Sequence, residues 1–235
     1  MCIKQNSEKN RLNDRQMTPA QKIEELSRRL PGGVRLVAVS KFHPVEAIES
    51  AYSAGQRIFG ESRAQELVVK VPALPSDIEW HFIGHLQTNK VKTVVPLVHT
   101  IQSIDSLKLL RAVDAEANRI GRSVEVLLQV HVAAEETKFG FSPEELLLVA
   151  AEAAAMTGAK VTGVMGMASN TDDEARVAED FKAIRACFDA LAQGEFKNNP
   201  AFRNISMGMS GDWQLAVEQG SNMVRIGSDI FGERQ

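Results

Sequence analysis

Only two cysteines, Cys2 and Cys187, occur in the chain. They are too few for a disulfide framework or a cysteine-rich metal site, and reduced thiols fit a cytosolic protein. Positive charge is not in excess either. With 27 basic and 30 acidic residues the formal charge is −3, so no chain-wide field gathers phosphate backbones, and nucleic acid is not expected as a partner. No apolar run approaches the ~20 residues that span a bilayer. The opening segment MCIKQNSEKNRLNDRQ has none of the apolar core of a signal peptide. A cytoplasmic protein without a membrane partner is therefore expected. Linkers rich in Gly, Ser or Pro are missing, as is any shift of composition that would mark a second domain. No Gly-x-Gly-x-x-Gly turn follows the first strand, which argues against an open dinucleotide-binding sheet.

What is present suits one sizeable core: 235 residues, 44% of them hydrophobic. Residues 1–17 have little apolar periodicity and read as a flexible leader, with one domain over residues 18–235. Thr18-Pro19 starts a helix that runs to Leu30, and Pro31-Gly32-Gly33 stops it. Strand-like runs follow at Val34 to Val39, Arg57 to Phe59, Ile78 to Gly84, Val98 to Ile104, Val124 to Val132, Lys160 to Met167, Asn204 to Met207 and Asn222 to Ile226. Helical patterns separate most of them, including Pro44 to Ala54 and Ser62 to Val71. Eight strands in βα order predict a parallel sheet closed into a single (β/α)8 barrel, a TIM barrel.

In such a barrel the functional groups gather where strands end. Lys41 stands there, after the first strand. A lysine amine forms a Schiff base with an aldehyde when partial desolvation or nearby positive charge leaves some of it neutral; a solvated lysine that merely follows a strand is the other reading. Late in the chain, Ser206-Met207-Gly208-Met209-Ser210-Gly211-Asp212 is a small-residue turn ahead of a helix near Trp213. Backbone N–H groups and the Ser210 hydroxyl there can hold a phosphate dianion. Arg225-Ile226-Gly227-Ser228 repeats the pattern after the last strand. Barrels commonly bind phosphate after strands seven and eight, although each turn alone could be an ordinary one with an N-cap serine. His81 and His85 invite a metal reading, but no Cys or carboxylate completes a ligand set, and none is expected. Glu61 and Arg63 could orient a ligand or form a structural ion pair. Asn89 and Lys90 could face the barrel mouth or cap the next helix, and Lys138 could be a second amine or a solvated loop lysine.

Seven segments in order, VAVSKFHP, FGESRAQE, WHFIGHLQTNK, LLQVHVAAEETKFGF, GVMGMASNTDD, SMGMSGDW and MVRIGSDIFGER, make the chain resemble the YggS/PROSC family of pyridoxal-phosphate homeostasis proteins over nearly all its length after the leader. The resemblance implies a barrel like the N-terminal domain of alanine racemase, with pyridoxal 5′-phosphate as cofactor. It implies that Lys41 is the Schiff-base lysine and that Ser210, Gly227 and Ser228 lie where the family holds the phosphate. Arg225 is implied to touch the cofactor, at ring or phosphate. Ser62, His85 and Ser228 depart from residues frequent in the family at those positions. The expected function is non-catalytic: a monomeric carrier in intracellular cofactor homeostasis, with apo-enzymes that use the cofactor as recipients. No second domain is expected to supply the acid/base groups a racemase needs. A small pyridoxal-phosphate-dependent racemase or decarboxylase is the alternative, and a barrel enzyme for other phosphate ligands a third.

Overall fold

The computed structural model describes residues 17–132 and 139–232. Residues 1–16 of the expected leader, and Lys138, lie outside the described residues. Eight parallel strands close into a barrel in sequence order. They are β1 (Arg35–Val39), β2 (Ile58–Glu61), β3 (Glu79–Phe82), β4 (Thr100–Ile104), β5 (Val124–Val130), β6 (Ala159–Gly166), β7 (Asn204–Ser206) and β8 (Met223–Ile226). The helices are α1 (Pro19–Arg29), α2 (Val45–Ser53), α3 (Ala64–Ala73), α4 (Val91–Val94), α5 (Leu107–Arg119), α6 (Pro143–Ala155), α7 (Glu174–Gln193), α8 (Trp213–Glu218) and α9 (Ser228–Phe231). A 3-10 turn, Thr88–Lys90, leads into α4. No helix of the described residues is long and apolar enough to cross a membrane.

Local chemistry starts the helices where the sequence suggests. Thr18 caps α1 through a reciprocal box: its hydroxyl accepts from the Gln21 N–H, and its own N–H donates to the Gln21 side chain at 2.9 Å, with Pro19 in the first turn. Ser142, Pro143 and Glu145 repeat the device on α6. The helix expected over Ser62 to Val71 is displaced: Arg63 keeps extended backbone as the cap of α3, and the helix ends at Ala73 with Pro72 inside it. A proline that close to the end removes few intrahelical bonds.

Side-chain alternation divides the core in two. The outward faces of the strands, with Leu36, Phe59, Trp80, Val126 and Val224 among them, join the inward faces of the helices in one large cluster. Inside the barrel Val37, Leu127, Met165 and Met223 form a small second cluster, against which Ile58 and Met167 pack. His81, Gln102, Gln129, Ser206 and Arg225 are buried as well, on strand positions whose immediate neighbours point outward. The barrel interior is thus a thin apolar plug with polar side chains around it.

Candidate functional site

Barrel closure joins the two ends of the chain. β1 and β8 pair with Ala38 opposite Ile226, so the segment after Val39 lies beside Gly227 and Ser228. Lys41 stands two residues past Val39, in the turn that follows β1, and is half-buried. The next residue, Phe42, has φ +68°, the only positive φ outside glycine among the described residues. A left-handed backbone costs a bulky residue about 1–2 kcal/mol. The Phe42 N–H donates to Glu66 Oε2 at 2.8 Å, and a hydrogen bond to a charged group contributes about 1.5–3 kcal/mol, enough to hold the turn. The Arg63 guanidinium lies 4.4 Å from the centre of the Phe42 ring, and His43 stacks on Phe231 with centroids 5.1 Å apart.

Behind that turn, between the barrel wall and α3, sits a buried polar cluster. Glu61 Oε1 accepts from Ser40 Oγ at 2.7 Å and from Lys70 Nζ at 2.8 Å. Lys70 Nζ also donates to the Ser40 carbonyl at 3.0 Å and to Glu66 Oε2 at 2.6 Å. Burial pushes the Glu61 carboxyl up to about 7, against the pull of Lys70 and Ser40. Burial acts the same way on Glu66, but there the bonds from Lys70 and the Phe42 N–H outweigh it, and its carboxyl stays below the usual range. Glu61 therefore pairs with Lys70 and not with Arg63. It faces the helix layer rather than the mouth.

The turns after β7 and β8 meet because their strands are neighbours: the Arg225 N–H donates to the Gly208 carbonyl at 3.0 Å. Gly208 has φ +95°, and a Cβ there would lie 2.6 Å from the Cβ of Ala216, so no other residue fits without moving α8. Gly227 packs on β1, where a Cβ would lie 3.2 Å from the Val39 carbonyl. The N–H groups of Ser210, Gly211 and Ser228 make no bond to a backbone acceptor among the described residues. The Ser210 and Ser228 side chains lie close enough to Asp229 to pull its carboxyl down against the effect of burial. Two hydroxyls that converge on one carboxylate can serve a phosphate oxygen in the same way. Burial raises the Asp229 carboxyl above its usual range, while Lys22 and Arg29 of α1 pull it back. A cavity of about 910 Å³ borders Met209, Gly211 and Asp212 on the α7 side, with Asp172, Glu174 and Glu218 in its other walls. Those carboxylates disfavour a dianion there.

Arg225 is held from within the barrel. Its Nη1 donates to the Ser206 carbonyl at 2.8 Å and to Ser206 Oγ at 2.7 Å, and its Nη2 to the Gly166 carbonyl at 2.9 Å. A guanidinium only donates, so the Ser206 hydroxyl must pass its hydrogen on. It goes to Gln102 Oε1 at 2.6 Å, and Gln102 Nε2 then faces His81 Nδ1 at 2.7 Å. His81 Nδ1 is thereby an acceptor, and its proton is on Nε2. Burial pushes His81 down to about 3 and Arg225 down to about 10. Near neutral pH the imidazole is uncharged and the guanidinium charged.

The remaining candidates separate. His85 leaves the barrel interior for the mouth, where Nδ1 lies 2.8 Å from Asp105 Oδ2 and the ring stacks on Phe139 at 3.9 Å. His81 is sealed below it, and no group of three or more His, Cys, Asp or Glu among the described residues could hold a metal ion. Asn89 and Lys90 form the 3-10 turn, and Lys90 makes no side-chain cap on α4. The Lys70 cluster, the chain behind Arg225 and the placement of Asp229 were not singled out in the sequence. Period-two alternation through Ser206 and Arg225 was the one signal for the inward pair; nothing in the one-dimensional pattern joins Lys70 to Ser40.

The description "Alanine racemase, N-terminal domain" fits residues 19–235. A pyridoxal phosphate homeostasis protein of Schizosaccharomyces pombe is 39% identical over 86% of this chain and 84% of its own. The protein of that name from Aquifex aeolicus is 38% identical over 92% and 93%. Among solved structures, PipY of Synechococcus elongatus with pyridoxal phosphate bound superposes with a TM-score of 0.85 at 35% identity, over 92% of this chain and 100% of PipY. Alanine racemase from E. faecalis, 18% identical, shares the fold with a TM-score of 0.72; 92% of this chain corresponds to 57% of that enzyme.

Proposed function

Because the chain belongs to the family of pyridoxal phosphate homeostasis proteins, built on the alanine racemase N-terminal domain, we propose that it binds pyridoxal 5′-phosphate on Lys41 as a cytosolic, non-catalytic carrier. One observation supports the site: β1 and β8 pair with Ala38 opposite Ile226, so the strand ends that lead into Lys41, early in the chain, and into Gly227 and Ser228, late in it, are neighbours. Bound there, the cofactor would supply an aldehyde to the Lys41 amine, for a C=N bond in place of C=O with the oxygen lost as water. The chain's own residues divide the rest. Ser210, Ser228 and the turn N–H groups donate to the phosphate. Gly227 lets the backbone approach closely. Arg225, charged and fixed by Ser206 and Gly166, offers a cation toward the cofactor.

The site is tested by borohydride reduction of the loaded protein and peptide mass mapping. A pyridoxyl mass on Lys41 is expected; pyridoxyl on other residues with none on Lys41 overturns the assignment. Lys41→Ala should remove the imine absorbance and keep phosphate-dependent binding. Ser210→Ala should weaken binding of the phosphate ester by about 1.5–3 kcal/mol and that of pyridoxal, which has no phosphate, far less. Equal losses for both ligands would show that Ser210 does not read the phosphate. The carrier role predicts hand-over of the cofactor to apo-enzymes without turnover of amino acids, and the family resemblance adds a monomer. Steady racemisation or decarboxylation that disappears in Lys41→Ala would replace it with the enzymatic reading.

A further inference from the structure

We infer that Lys70 is a positioning residue for Lys41: with Glu61 and Glu66 it forms a clamp behind the barrel wall that holds the peptide groups on both sides of the lysine. The inference rests on the reading of Lys41 as the residue that takes the aldehyde.

Groups of Ser40, Phe42 and His43 fix the chain around Lys41. Before it, the Ser40 N–H donates to the Gly60 carbonyl at 3.1 Å. The Ser40 carbonyl accepts from Lys70 Nζ at 3.0 Å, and the Ser40 hydroxyl donates to Glu61 at 2.7 Å. After it, the Phe42 N–H donates to Glu66 at 2.8 Å, and the His43 N–H closes the turn on the Ser40 carbonyl at 3.1 Å. Lys70 links the two sides, because one ammonium reaches the Ser40 carbonyl, Glu61 and Glu66 together. It does so from α3 with a side chain only 7% exposed. A lysine amine ends a long flexible stem, so its reach into the mouth depends on where its Cα is held and how the chain leaves it. The left-handed conformation at Phe42 turns the backbone directly after Lys41, and the His43 N–H bond to the Ser40 carbonyl closes that turn. Removing the ammonium takes away the one donor that joins the Ser40 carbonyl, Glu61 and Glu66, and frees that turn to relax.

The clamp lies between the barrel wall and α3, away from the turns after β7 and β8, which separates it from the phosphate site. Its test compares the formation of the bond to Lys41 with binding that needs no such bond. Pyridoxamine 5′-phosphate keeps the ring and phosphate but carries an amine in place of the aldehyde, so it reports binding alone. In Lys70→Met and Glu66→Ala, imine absorbance after mixing with pyridoxal 5′-phosphate should appear about 10-fold more slowly or worse, as expected for a small misplacement of a reacting group. Pyridoxamine 5′-phosphate should bind within about 3-fold of wild type, a difference well under 1 kcal/mol. Glu66→Gln keeps an oxygen for the Phe42 N–H and should recover most of the rate. In the ligand-free protein the Phe42 amide should exchange with solvent faster in Glu66→Ala than in Glu66→Gln. If Lys70→Met does not fold, the Glu66 pair carries the test by itself. Wild-type imine rates in the variants, or equal losses of rate and of pyridoxamine 5′-phosphate affinity, overturn the clamp. A wild type that carries no pyridoxyl on Lys41 after reduction overturns the underlying site assignment instead, whatever the variants do.

Discussion

Asp229 sets a carboxylate against the two hydroxyls proposed to receive the phosphate. Charge of the same sign beside a dianion weakens its binding. Asp229→Asn should therefore tighten pyridoxal 5′-phosphate, by about 3- to 10-fold for a half-screened unit charge a few ångströms away. Titration of both proteins at pH 7.5 with pyridoxal 5′-phosphate and with pyridoxal checks the cause, since the gain should be confined to the phosphate ester. A gain that is absent, or equal for both ligands, would show that Asp229 is no barrier to the phosphate. The serines were legible in the sequence because small residues after strands seven and eight have a known use. Asp229 was not, since only the fold of the last turn brings it under Ser210.

At the scale of elements, the chain from β8 through β7 and β4 to β3 gives the barrel interior a single hydrogen-bond polarity, set by the guanidinium at its head. His81 should stay neutral and carry its proton on Nε2 from pH 8 down to about 5, since burial holds it near 3. Nitrogen chemical shifts of the imidazole report both properties, and a His81 resonance that titrates near the ordinary histidine value would break the chain as drawn. Gln102→Leu leaves the Ser206 hydroxyl without its acceptor and should cost about 1–3 kcal/mol in denaturant unfolding. The strands were readable from short apolar runs set between helical patterns, because burial on both faces makes such runs nearly continuous. The start of α3 was not: Ser62 and Arg63 have the composition of a helix entry, but the Arg63 contact with Phe42 favours the extended backbone that precedes the helix.

For the whole molecule, two buried groups tilt stability with pH in opposite directions. Glu61 titrates near 7 in the fold against about 4.3 in an unfolded chain. Between those values the folded state holds the extra proton, so this contribution is complete below the unfolded value and is lost as pH rises through 7. Glu61→Gln should flatten the fall in stability between pH 5 and pH 8, by an amount on the order of 1–3 kcal/mol. His81 acts oppositely: its folded value near 3 lies below the unfolded ~6.5, so unfolded chains bind the proton first and stability falls as pH drops below that. Unfolding midpoints measured across this range in the wild type and in Glu61→Gln decide the matter. Parallel curves would mean that Glu61 remains ionised beside Lys70 throughout.

The eight-strand barrel, the order of its elements, the small residues after strands seven and eight and Arg225 on strand eight could all be read from the one-dimensional pattern. Strand periodicity, helix caps and strand-end polarity are local properties, and each is written within a few residues. Lys41 was legible for the same reason, as a polar residue at the end of an apolar run. Which groups support those residues was decided only by the tertiary structure. Lys70 comes to Ser40 across 30 residues, and Gln102 to Ser206 across 104. Ring closure and helix packing set these contacts, and no local pattern encodes such distances.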